Sequence, residues 1–310
     1  MIDWMNHDGV NLGMINDYMR NQFYETIVEN TVRHKKVVDI GFGTGLLSIL
    51  CLKHGATSVV AYEVDQERYQ LGVELIEKCG LQDRISLHNE KYTWQTAVDA
   101  DVIVTETVNG DLWQEGLWNS LPRTSSQLFL PGEYFVELYV KAIPKTFASL
   151  IDADIQPNSL FIPGVDLDQS FIDAVNLYVC EWHDKDYTGV PSVSDIQPGV
   201  HRFHNRTEGP WGFIPFMRMI EDKQYLQSTI TIDANSTDHL NFDISHLKTT
   251  IDLDPTEYSL VVPRCGMRYK NHTLYLDTGH WGPTQDAVII YGRDQITFTH
   301  NLHNGKMQYV

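Results

Sequence analysis

Val37-Val38-Asp39-Ile40-Gly41-Phe42-Gly43-Thr44-Gly45 decides the fold. It reads as an apolar strand, Lys36–Ile40, running straight into a glycine loop. The form is GxGxG and not the dinucleotide GxGxxG. Three glycines permit a tight strand-to-helix turn and let a ligand approach the backbone closely. A glycine loop alone is often a plain turn, so its neighbours matter. A helix, Gly45–His54, follows. A second strand, Ser58–Tyr62, ends at Glu63, 22 residues after Gly41. An acid at that place suits a ribose diol.

The alternation continues on both sides. Asp65–Cys79 reads as a helix stopped by Gly80. Ile85–Leu87 is a third strand, and Val102–Thr105 a fourth that ends at Glu106. Upstream, Met14, Ile15, Tyr18, Phe23, Ile27 and Val28 recur at helical spacing over 14–30. Strands alternating with helices predict a parallel sheet with helices on its faces. Near Leu130-Pro131-Gly132 the texture changes. Short β-rich runs follow, at Phe135–Ala142, Thr229–Ile232, Ser259–Val262, Thr273–Leu276, Ala287–Tyr291 and Gln295–Thr299. They predict an antiparallel barrel or sandwich.

The chain has 310 residues, about two domains' worth, and 42% of them are hydrophobic, enough to bury a real core. No apolar run approaches the ~18 residues of a membrane span. The N-terminus lacks a signal-peptide pattern, so a cytoplasmic location and no membrane partner are expected. Cys51, Cys79, Cys180 and Cys265 are dispersed and form no CxxC, as expected of reduced thiols. The 13 histidines show no ligand spacing, and no metal is expected. Asn205, Asn235 and Asn271 open glycosylation triplets that read as chance. With 23 Lys+Arg against 41 Asp+Glu the net charge is −18. That opposes a nucleic-acid surface and favours a basic ligand or peptide.

Asp39-x-Gly41-x-Gly43-x-Gly45 with a strand-end Glu63 resembles class I S-adenosylmethionine-dependent methyltransferases. The resemblance implies a Rossmann-like domain. It places Asp39, Gly41, Gly43, Gly45 and Glu63 at the cofactor, whose product is S-adenosylhomocysteine. Glu90, in His88-Asn89-Glu90-Lys91, would meet the adenine amino group.

Glu106 and Glu115 lie nine residues apart after the fourth strand. A guanidinium has five donors and stays charged, and two carboxylates can hold it bidentately. The pair resembles the double-glutamate loop of protein arginine methyltransferases. Met14-Ile15-Asn16-Asp17-Tyr18-Met19-Arg20 is similar to that family's N-terminal helix motif. It implies Met14 at the methyl pocket and Arg20 at the cofactor carboxylate. Asp277-Thr278-Gly279-His280-Trp281-Gly282 resembles the family's Thr-His-Trp loop. There His280 would pair with Asp17, and Trp281 would wall the arginine channel.

The resemblance therefore implies an α/β plus β protein. Residues 1–131 would hold an N-terminal helix and a Rossmann-like S-adenosylmethionine domain. Residues 132–310 would form a β-barrel substrate domain with a helical dimerisation arm near 147–185, and the chain would act as a homodimer. The details around Gly43-Thr44-Gly45-Leu46-Leu47-Ser48, Glu63-Val64 and Glu115-Gly116 lean to the monomethylating branch. The expected substrate is an arginine-containing, Arg/Gly-rich protein or peptide. Two alternatives stand beside it: a methyltransferase acting on a small guanidino or amino compound, and a catalytically silent cofactor-binding scaffold.

Overall fold

The computed structural model describes residues 14–96, 98–108, 112–113, 115–122, 127–143, 199–202, 223–236, 246–276 and 288–310. The expected dimerisation arm near 147–185, His280, Trp281 and the first 13 residues lie outside them.

Helix α1 spans Tyr18–Glu29. The sequence predicts one helix from residue 14, but Asp17 divides it. Asp17 is extended and serves as N-cap, accepting a hydrogen bond from the Arg20 backbone N–H at 3.0 Å. Beyond it Arg20, Phe23, Tyr24, Ile27 and Val28 form one buried stripe at three- and four-residue spacing.

Strand β1 (Lys36–Ile40), helix α2 (Leu46–Lys53), strand β2 (Ser58–Tyr62), helix α3 (Gln66–Lys78), strand β3 (Ile85–His88) and strand β4 (Val102–Thr105) follow in order. Strand β5 (Leu128–Leu130) completes a five-stranded parallel sheet of order β3-β2-β1-β4-β5. Val37, Val38, Asp39 and Ile40 are all buried, as expected of a central strand covered on both faces. Strand order reverses between β1 and β4. In open α/β sheets ligands bind outside the carboxyl ends of the strands at such a switch point. Here those ends carry the glycine loop and Glu106.

The rest is antiparallel. Strands β6 (Glu133–Ile143), β7 (Gly199–Arg202), β8 (Leu226–Asp233), β9 (His246–Asp252), β10 (Tyr258–Tyr269), β11 (His272–Tyr275), β12 (Val288–Tyr291), β13 (Gln295–Asn301) and β14 (Met307–Tyr309) make two sheets. One has the order β7-β12-β10-β6-β8 with β11 beside β10, and the other β14-β13-β9. One hydrophobic core runs through the parallel and antiparallel parts, from Val38 and Val104 through Tyr134, Val136 and Met267 to Phe298. Asn235 ties the parts together. Its side-chain amide accepts from Phe129 N–H at 2.7 Å and donates to Phe129 C=O at 3.0 Å, so it pairs with β5 as a backbone would.

Candidate active site

The glycine loop is close-packed as well as tightly turned. Gly41 sits at φ 81°, and a Cβ there would lie 2.8 Å from Thr107 Cγ2. Gly45, at φ 76°, would drive a Cβ to 2.7 Å from the Phe42 ring. Only glycine meets both demands. Glu63 lies against this loop, 4% exposed. Its Oε2 accepts from Gly43 N–H and its Oε1 from Asp65 N–H, both at 2.9 Å. Its neighbour in space is fixed too, since Asn89 Nδ2 donates to the Glu63 carbonyl at 2.9 Å. Glu90 follows Asn89 on that segment, largely exposed, with His88 Nδ1 4.0 Å away.

Asp39 opens the glycine motif that the resemblance places at the cofactor. It is completely buried below the loop, where its Oδ2 accepts from Ser48 Oγ at 2.5 Å. Its carboxylate braces the start of α2 through Ser48. Burial pushes the Asp39 carboxyl up to about 7, against the lowering hydrogen bonds from Ser48.

Arg20, which the resemblance places at the cofactor carboxylate, meets Glu106. It is 4% exposed, and its Nη2 donates to Glu106 Oε2 at 2.7 Å. Nη1 donates to Asn21 Oδ1 at 3.0 Å. Nε is buried with no hydrogen-bond partner. Burial alone would lower the Arg20 pKa, but Glu106, Tyr24 and Asp17 outweigh it and hold the guanidinium charged. Burial pushes the Glu106 carboxyl up to about 7, while Arg20 pulls it back down. The fully buried pair is thus charge-balanced at the cost of desolvation.

Glu115 is exposed but close enough to raise the Glu106 pKa further, so the structure brings the two glutamates together. The loop between them is pinned by Leu112 and Trp113, both fully buried. Met14 is half-buried in the helical turn before Asp17, whose backbone N–H donates to the Met14 carbonyl at 3.3 Å. Asp17 uses Oδ1 as helix cap and also contributes to the Glu106 environment. Among the described residues, no group of three or more His, Cys, Asp or Glu side chains could hold a metal ion.

Ser48, the last residue of the glycine-loop motif, braces Asp39. Two further residues of this neighbourhood escape a motif reading. Tyr134 lies fully buried near Glu106, its hydroxyl without a partner. Tyr24 Oη donates to the Thr105 carbonyl at 2.8 Å, one residue before Glu106. The signal for Tyr24 was present, because it lies four residues after Arg20 on the apolar stripe of α1.

Known proteins resemble this chain over the same region. The family model of ribosomal protein L11 methyltransferase (PrmA) matches residues 21–112. Protein arginine N-methyltransferase 9 of Xenopus laevis is 33% identical over 143 residues, 43% of this chain and 17% of that one. Protein arginine N-methyltransferase 7 of Gallus gallus is 29% identical over 203 residues, 59% of this chain and 28% of that one. The chain therefore spans less than a third of these relatives' length. Among solved structures, PRMT6 matches with a TM-score of 0.58 and 14% identity, covering 96% of both chains. A Trypanosoma brucei PRMT1 enzyme–prozyme heterotetrameric complex with AdoHcy matches with a TM-score of 0.54 and 15% identity, over 98% of this chain and 92% of that one. These structural likenesses establish the shared fold.

Proposed function

We propose that the chain is a member of the protein arginine N-methyltransferase family and transfers a methyl group from S-adenosylmethionine to a guanidino nitrogen of a peptidyl arginine. One observation carries this reading. At the switch point between β1 and β4, where the glycine loop also begins, Glu106 already accepts a hydrogen bond from a guanidinium, that of Arg20. Its buried carboxylate is built to accept such a group, and Glu115 supplies the second acceptor.

The residues fit the cofactor. Gly41, Gly43 and Gly45 keep the loop at positive φ, and Gly41 and Gly45 let it pack against Thr107 and Phe42 without a Cβ between. Glu63 would hold the ribose diol, and the unpartnered Nε of Arg20 is a donor for the carboxylate end. Glu90 would reach the adenine amino group, and Met14 would line the methyl pocket. Asp39 acts from beneath, through Ser48, by holding the loop. When bound, S-adenosylmethionine supplies an electrophilic methyl on a sulfonium, and S-adenosylhomocysteine is the product.

Glu106 and Glu115 then fix the guanidinium plane and draw its charge towards the nitrogen they hold. The other nitrogen is left more nucleophilic and in line for attack. With the cofactor held on the glycine loop, its methyl would pass to that nitrogen, which would lose one proton, and S-adenosylhomocysteine would leave. By the motif likeness, Asp17 with His280 would take that proton or orient the site, and Trp281 would line the arginine channel. Motif likeness around Gly43–Ser48 and Glu115-Gly116 supports monomethylation. A boundary near residues 131/132, a homodimer and a cytoplasmic location complete the proposal. For location, the structure adds only that no described helix is long and apolar enough to cross a membrane.

The test incubates purified protein with methyl-labelled S-adenosylmethionine and an Arg/Gly-rich peptide, then hydrolyses the peptide and identifies the labelled residue. Monomethylarginine is expected. Label on free arginine in preference to peptide would point instead to a small guanidino substrate. Cofactor binding without transfer would point to a silent scaffold.

A further inference from the structure

Resting on the proposed arginine methylation, we infer that Tyr24 is a positioning residue that holds the Arg20–Glu106 pair in register from both ends. The hydroxyl of Tyr24 donates to the Thr105 carbonyl at 2.8 Å, which fixes the chain entering Glu106. The Arg20 guanidinium carbon stands 5.5 Å from the centroid of the Tyr24 ring, one helical turn away on α1. One side chain therefore sets where the carboxylate begins and where its cation rests. Tyr24 is itself held firmly. It is fully buried, packed edge-on against Phe23 with ring centroids 5.4 Å apart. Its hydroxyl also meets Met267 Sδ of β10 at 3.7 Å, so the antiparallel sheet bears on the same point.

The far side of β4 is secured in the same manner. Thr105 Oγ1 donates to the Ile40 carbonyl at 3.1 Å and meets Thr107 Oγ1 at 2.9 Å. Glu106 thus leaves a strand end clamped by β1 on one side and α1 on the other. Burial first, then Glu106, raise the Tyr24 hydroxyl well above its ordinary value, so it stays protonated and keeps donating. Tyr24 touches neither substrate nor reacting atoms. It acts through Arg20 and Thr105, and its effect belongs to kcat more than to binding.

Tyr24→Phe keeps the ring and removes only the hydroxyl. The expected result is a loss of about tenfold in kcat, with KM for peptide and Kd for S-adenosylmethionine within about twofold. The acidic limb of the pH–rate profile should move to higher pH. Around Glu106 the charged or titratable groups are Arg20, Asp17, Glu115, Tyr24 and Tyr134, and only Arg20 favours its ionised form. Releasing the Thr105 anchor lets Glu106 draw away from Arg20 and therefore leaves Glu106 harder to ionise. A merely structural defect would lower kcat without moving that limb.

An activity-independent measurement accompanies the kinetics: infrared titration of the buried carboxylic C=O band, assigned with Glu106→Gln. The Glu106 band should titrate at higher pH in Tyr24→Phe than in the wild type. If both the limb and the band stay in place, the inference is overturned, whatever happens to kcat. If the wild type methylates no arginine but the band still moves, positioning by Tyr24 stands and the proposed reaction falls.

Discussion

Two carboxyls, Glu106 and Asp39, face the same physical difficulty, since each is buried and each is pushed up to about 7. Glu106 is relieved by a cation, Asp39 by a hydroxyl. In the unfolded chain both would titrate near their ordinary values of 4.5 and 3.8. Between about pH 4 and 7 the native state therefore binds more protons than the unfolded one, and stability falls as pH rises. The advantage these groups give at low pH is complete below their unfolded values and gone above about 7. Each can contribute a slope of up to about 1.4 kcal/mol per pH unit. Thermal unfolding of Glu106→Gln across pH 5 to 7 should show a shallower slope than the wild type. An identical slope would mean that Glu106 is already ionised throughout. At this scale the sequence points to Glu106, Glu115, Glu63, Asp39 and Arg20 as residues of one neighbourhood, but not to the Asp39–Ser48 and Arg20–Glu106 contacts that the structure adds. Motif position says which residues gather at a loop, while the contacts they make there, with Ser48 and Tyr24, are set by packing.

Elements were legible where hydrophobic pattern alone decides them. Lys36–Ile40 and Val102–Thr105 match the observed strands, and Asp65 and Gly80 bracket α3 as their residue types demand. Strand β10 was read only as Ser259–Val262 because Pro263 interrupts the run. It continues to Tyr269 because Pro263 falls between its two partners on one side. β12 pairs with Ser259–Val261 and β11 with Gly266–Tyr269, so the missing N–H breaks no ladder there. Strand β9, His246–Asp252, was missed because its outward positions are polar and the run reads as loop. Strand β5 has only three residues and is held partly by Asn235, a residue distant in sequence. Asn235→Ala removes both hydrogen bonds and leaves two β5 backbone groups underused. It should lower unfolding stability by about 1–3 kcal/mol in urea titration. Methyl transfer per folded molecule should be unchanged, because Asn235 lies on the β5 side of the sheet and touches no site residue. A loss below about 0.5 kcal/mol would show that the amide pairing is dispensable.

For the whole molecule, the excess of acidic residues and the switch-point site act together. A chain carrying −18 attracts a basic peptide from beyond contact distance, and the attraction is screened over about 10 Å at 0.1 M salt. KM for an Arg/Gly-rich peptide should rise several-fold, roughly three- to tenfold, between 50 and 300 mM salt. The KM for S-adenosylmethionine, which is zwitterionic at its methionine end, should change much less. Equal salt dependence for both would place the effect on folding or on the cofactor site and not on peptide capture. The two-part architecture, parallel sheet then antiparallel sheets, was legible from the change of texture at Leu130-Pro131-Gly132, where β5 ends and β6 begins at Glu133.

The central claim is that Glu106 holds the substrate guanidinium. The most direct test compares the wild type with Glu106→Gln in transfer of labelled methyl to an Arg/Gly-rich peptide, with cofactor affinity measured on the same preparations. The account predicts label on peptidyl arginine in the wild type and a fall in kcat of about 100-fold or more in the variant, with cofactor Kd changed less than about twofold. Full transfer by Glu106→Gln, or collapse of its cofactor binding together with its activity, would contradict the assignment.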